Sequence, residues 1–189
     1  MATPKQLVWV VALQTGVSEA TVIVHDRNLL VAGLRTEGQR GRGTSTVTYQ
    51  DAANLIIAVA ASRNVKDSAK TVEIYGPLSA SEPLLFEDDG RDVIRGETFG
   101  DALAAFLEVV PPARDEFKDS ENGYVNVYIY GPKPEARIEW KIGERGGDIL
   151  YGIRRAIGFK TAGQSADLQF ISKFTQITIG FVGEVIASD

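Results

Sequence analysis

The chain has 189 residues, 44% hydrophobic and 24% charged, with a formal net charge of −5. That composition supplies a core for one ordinary domain or two small ones. The absence of cysteine excludes disulfides and thiolate metal sites. No apolar run approaches the ~20 residues of a membrane-spanning helix.

The first sixteen residues hold a short apolar run but lack a basic leader and a small-residue cleavage pattern. The expected address is therefore the cytoplasm, with no membrane partner. Charge is unevenly spread. Residues 1–70 carry eight Lys/Arg against five acids, and the remainder carries twelve against twenty. An N-terminal part that tolerates a polyanion precedes a part that would repel one.

In chain order, residues 5–15 show helical spacing. Leu7, Val8, Val11 and Ala12 form an apolar stripe that Trp9 and Leu13 widen, and Gly16 suits the position just past the helix end. Ser18 suits an N-cap. Residues 19–34 (EATVIVHDRNLLVAGL) fit two short helices or one bent one. The β-branched Val22, Ile23 and Val24 make a strand the competitor. The helical reading is preferred because Gly33-Leu34 can close a helix and a capped helix follows. It turns Val22, Ile23, Leu29, Leu30 and Leu34 inward and His25, Asp26, Arg27 and Asn28 outward.

Residues 37–45 are polar and glycine-rich and carry Arg40 and Arg42, a composition suited to contact with a phosphate backbone. Thr48 and Asp51 have capping-box spacing. Ala52, Leu55, Ile56, Val59 and Ala60 then recur at helical intervals. Residues 5–62 thus resemble winged or looped helix-turn-helix DNA-binding domains. They also resemble the N-terminal part of uncharacterised bacteriophage- and prophage-encoded proteins. The matching residues are Gly33-Leu34, Gly38-Gln39-Arg40-Gly41-Arg42-Gly43 and the run from Thr48 to Ala58. About a third of the chain is covered, and the second helix has few long polar side chains for base edges. The resemblance implies double-stranded DNA as partner, contacted by His25, Arg27, Asn28, Arg35, Arg40 and Arg42.

Residues 63–70 are polar and aperiodic, which suggests a boundary: a winged helix-turn-helix-like unit over 1–66 and an α+β unit over 67–189. In the second unit, residues 70–75 alternate as a strand stopped by Gly76-Pro77. Residues 79–97 form an acidic loop. Thr98 and Asp101 cap a helix faced by Ala102, Leu103, Phe106, Leu107 and Val110, ended by Pro111-Pro112. Residues 113–123 form another acidic loop. Residues 124–130 and 136–142 pair as a hairpin with one wet face, and 148–160 are extended in part after a turn at Gly146-Gly147. Residues 168–174 alternate as a last strand. Residues 175–187 read as a helix with Ile177, Phe181, Val182, Val185 and Ile186 on one face. The hexapeptides VEIYGP (72–77) and VYIYGP (127–132) are alike, but their flanks do not match, which favours coincidence over a duplicated strand-turn.

His25, the only histidine, has just Asp26 and Glu19 near it as further ligands, so no metal site is expected. The acidic run 87–92 lacks the spacing of a calcium loop and reads as a solvated turn. Tyr124, Tyr128 and Tyr130, with Asn126, share one strand face suited to stacking bases or to a subunit contact, the acidic surroundings favouring a protein partner. No nucleotide-binding loop, nucleophile elbow, dinucleotide fingerprint or His-containing acid/base set is present. A carboxylate-only metal nuclease is the one enzyme class left open, and no pair of acids is spaced to suggest it. Neither enzyme activity nor a cofactor is therefore expected. The expected function is DNA binding of the phage type, with transcriptional regulation as its simplest form. A packaging or replication subunit is the variant, and a protein-interaction module that inhibits a host system is the alternative. Self-association, most simply as a dimer, is expected through the aromatic-rich C-terminal part.

Overall fold

The structure, a computed structural model, describes residues 2–37, 46–81, 97–113, 115, 117, 123–152 and 168–187. Helix α1 (Pro4–Thr15) starts at a capping box in which Thr3 and Gln6 satisfy each other, and it ends at Gly16 with φ of 70°. After a three-residue turn comes α2 (Glu19–Val31), capped by Ser18. The segment is one helix, neither two helices nor a strand. Next are α3 (Tyr49–Ala61), a 3₁₀ turn at Val65–Asp67 and α4 (Ser68–Tyr75).

The strand expected over 70–75 is therefore a helix. Ser68, Thr71, Val72 and Tyr75 recur at three- and four-residue steps, and all four are buried. That burial outweighs the short alternation. Helix α5 (Phe99–Val109), capped by Thr98, precedes the strands β1 (Gly123–Gly131), β2 (Glu135–Ile142), β3 (Arg145–Tyr151) and β4 (Phe170–Thr175), and α6 (Gln176–Ala187) follows. The turn into β3 comes at residues 143–144, so Gly146 and Gly147 lie inside that strand. The expected loops fall largely outside the described residues.

The chain is α+β: helices first, then one antiparallel sheet in the order β3-β2-β1-β4. Helix α3 lies at its centre. Every residue from Asp51 to Ala58 is buried, and the helix touches α1, α2, α4, α5, α6, β1 and β4. A helix apolar on all sides is stable only when enclosed. Leu55, Ile56 and Ile57 are fully buried, each worth about 1.5–3 kcal/mol by transfer.

Asp51 has a second task besides its cap. Its Oδ2 accepts from the Thr48 backbone N–H (2.7 Å) and hydroxyl (2.9 Å), and its Oδ1 accepts from the Thr36 N–H (2.7 Å) and hydroxyl (3.2 Å). One carboxylate thereby fixes both flanks of the Arg40/Arg42 segment.

The inner face of the sheet carries Val125, Val127, Ile129, Ala136, Ile138, Ile149 and Tyr151, all buried in a core shared with the helices. Two contacts fix how the sheet is held. The Ser172 hydroxyl donates to the Ala60 carbonyl (2.6 Å), and the Tyr75 hydroxyl donates to the Tyr130 carbonyl (2.7 Å). The boundary drawn at 66/67 falls within the 3₁₀ turn, and helices from either side of it pack together, α1 on α6 and α3 on α5. Among the described residues no helix is long and apolar enough to cross a membrane.

Several inward assignments change. Trp9 and Leu13 on α1, Ile23 on α2, and Ile177 and Phe181 on α6 are exposed. Val10, Ile179 and Gly183 are buried in those helices instead. The apolar residues of α1, α2 and α6 outnumber the inward positions, so composition alone does not choose the face.

Candidate nucleic-acid interface

The four N-terminal contact residues within the described chain divide sharply. His25 does not face outward. It is 3% exposed, with Nδ1 2.8 Å from the Ser68 hydroxyl of α4. Asn28, also expected outward, donates from Nδ2 to the Val65 carbonyl at 2.8 Å and to Ser68 Oγ at 3.4 Å. Ser68 Oγ in turn donates to the Val65 carbonyl. These three side chains lock α2 onto the Val65–Asp67 turn and α4.

Arg35 is 8% exposed. Its Nε lies 2.9 Å from Asp26 Oδ1, and its Nη1 donates to the Thr36 carbonyl at 3.2 Å. The Asp26 pair is ionic without hydrogen-bond alignment, since neither atom has a hydrogen-bond partner. Burial pushes the Asp26 carboxyl above its usual range; Arg35 opposes that shift and the charge of Asp51 adds to it. Only Arg27 of this set is exposed. Arg40 and Arg42 lie outside the described residues. The outward side of α2 also carries Ala20, Ile23, Val24 and Val31, which offer no hydrogen bonds to base edges.

The other candidate is the sheet face turned away from the helices. The strand register sets Leu150, Arg137, Tyr128 and Lys173 in one row across β3, β2, β1 and β4. Asp148, Glu139, Asn126 and Thr175 form the next row. Tyr124 lies beside Lys141, and Tyr130 between Glu135 and Ile171. The Tyr128 and Tyr130 rings stack at 6.3 Å between centroids with 14° between planes, and Lys173 Nζ is 5.2 Å from the Tyr128 centroid.

The acids on this face are largely answered. Arg137 forks onto Asp148 through Nε (2.7 Å) and Nη2 (2.6 Å), and Nη2 also lies 2.7 Å from Glu139. That hydrogen-bonded fork holds the Asp148 carboxyl below its usual range. The Tyr128 hydroxyl donates to Glu139 Oε2 at 3.2 Å.

Alternation within β1 and β2 made the tyrosines and the trio Arg137, Glu139 and Lys141 visible in the sequence. The addition of Lys173 depends on the β1–β4 pairing, which has no local signal. A cleft of about 260 Å³ between α1 and α2 is lined by Pro4, Lys5, Val8, Glu19, Ile23 and Asp26. Among the described residues no three His, Cys, Asp or Glu side chains cluster to hold a metal.

No protein-family model matches the chain, and no curated protein or solved structure is significantly similar to it.

Proposed function

We propose that the protein is a non-catalytic nucleic-acid-binding protein and that its ligand, a single strand of DNA or RNA, lies across the outer face of the sheet. The observation that carries this is the row of tyrosines on the central strand β1, flanked by Arg137 and Lys141 on β2 and by Lys173 on β4. Aromatic rings on a rigid sheet stack bases whatever their sequence, and flanking cations follow the backbone. Arg137 is engaged by Glu139 and Asp148 and offsets one of their two charges, so contact with the backbone falls chiefly to Lys173.

Double-stranded DNA is the second reading. It is favoured by the short turn between α1 and α2, the outward Arg27 and the Arg40/Arg42 segment. Regulation of transcription is the simplest use of either mode, with a packaging or replication role as the variant. Self-association belongs to both.

Fluorescence anisotropy with a labelled oligodeoxythymidine and a duplex of equal length tests the choice. Tighter single-strand binding is expected, and the paired substitution Tyr128→Ala and Tyr130→Ala should weaken it by about 1–3 kcal/mol per stacked base. Duplex binding that falls with Arg27→Ala and ignores the tyrosines would favour the second reading. No binding of either ligand at low salt would leave a protein partner, such as a host system that is inhibited.

A further inference from the structure

Helix α2 is apolar on both sides. Its inner side packs Val22, His25 and Leu29 against the core, all buried. Glu19, Ala20, Ile23, Val24, Arg27 and Val31 are exposed. At 3.6 residues per turn, those six fall within one arc of about 140°. Ile23 is 50%, Val24 45% and Val31 82% exposed. Three exposed apolar side chains on one arc form a patch of the kind that a second surface covers.

The charges on this outer arc identify the cover. Glu19 lies four residues before Ile23 and Arg27 four residues after it, each about 6 Å from it along the axis. Neither has an ion-pair partner among the described residues. A second copy of α2 laid antiparallel, with the two Ile23 side chains at the two-fold axis, sets Glu19 against the partner's Arg27 on both sides. A parallel copy would oppose like charges. We infer that the protein pairs through α2 as an antiparallel two-fold dimer, with Ile23 at its centre and Glu19 and Arg27 as reciprocal ion pairs.

An isologous contact needs such self-complementarity, with each residue meeting its counterpart across the axis. The cleft lined by Pro4, Lys5, Val8, Glu19, Ile23 and Asp26 lies beside Ile23 and gives room for a side chain of the second copy. This assignment rests on the self-association included in the proposed function. It moves the contact from the C-terminal part to α2.

Sedimentation at micromolar concentration and cysteine cross-linking test it. The chain contains no cysteine, so Ile23→Cys introduces one thiol at the axis. Mild oxidation should link two copies through it, while Ile74→Cys on α4 should not link. Arg27→Glu should raise the dimer dissociation constant about tenfold, and combining it with Glu19→Arg should restore the native value. Circular dichroism of each variant separates lost pairing from lost folding. A native dimer that ignores these charge changes, or an Ile23→Cys variant that does not link, would overturn the α2 contact and leave self-association standing elsewhere. A native monomer would overturn both.

Discussion

His25 Nδ1 lies 2.8 Å from Ser68 Oγ, a contact that ties α2 to α4 across 43 residues of sequence. Because the Ser68 hydroxyl donates to the Val65 carbonyl, it accepts from His25, which fixes the ring proton on Nδ1. Burial pushes the imidazole below its ordinary value of 6.5. The folded state therefore binds its proton less readily than the unfolded state. The contribution to stability is fully present above about pH 6.5 and is lost as pH falls through the lower, folded value. Asp26 acts in the opposite sense, since a raised carboxyl pKa favours the folded state as pH falls. The difference in urea stability between the native protein and His25→Gln should therefore shrink between pH 7 and 5. A constant difference would remove His25 from the acid response.

Two glycines of α6 should respond in opposite directions. A Cβ on Gly183 would come within 2.0 Å of the Leu107 carbonyl oxygen and 2.8 Å of the Pro111 ring, at the crossing of α5 and α6. Gly183→Ala should cost about 1–3 kcal/mol, because backbone cannot yield as a side chain does. A Cβ on Gly180 meets only Val110, at 3.6 Å. Gly180→Ala should stabilise by about 0.5–1 kcal/mol through helix propensity. Chemical denaturation of the pair reads both signs.

Removing the Asp51 carboxylate should cost more than an ordinary cap. Four hydrogen bonds converge on it, and it is buried. Asp51→Ala should destabilise by about 1–3 kcal/mol, since the Thr36 and Thr48 donors lose their acceptor together. Hydrogen exchange at the amides of Thr36 and Thr48 should quicken ahead of those within α3.

Lys173 tests the cationic part of the proposed platform. If it contacts one phosphate of a single strand, Lys173→Ala should lower the magnitude of the log K versus log salt slope by about 0.7. Stability should change by no more than about 0.5 kcal/mol, because the side chain is exposed. An unchanged slope would detach Lys173 from the backbone path.

Helix caps are legible because they are local, whereas the turn expected at Gly146-Gly147 lies at residues 143–144. Thr48 with Asp51, Thr98 with Asp101, and Gly16 after α1 all act as their spacing indicates. The hexapeptides show where local reading stops. Val72 to Tyr75 ends a helix, whereas Val127 to Tyr130 is strand, although the two segments differ at one position. Their neighbours decide: Ser68 and Thr71 extend a buried helical stripe in one, and pairing with β2 and β4 fixes the other. Helix α2 misled on its facing because either side has enough apolar residues to pass for the core side. His25 and Arg35 look like surface residues in the sequence, since Ser68 is distant in it and the fit of Arg35 to Asp26 depends on how the chain turns after α2. The tyrosine face was visible as alternation, but its cationic flanks follow from strand register.

The grip of Asp51 on Thr36 and Thr48 has an engineering consequence. With those flanks held by one side chain, the span between them is closed before any sequence is chosen for it. Lengthening a closed loop costs only about 0.6 kcal/mol per doubling. Lengthening the connection between Thr36 and Thr48 should therefore leave the packing of α3 intact while Asp51 is present, and disturb it once Asp51 is replaced.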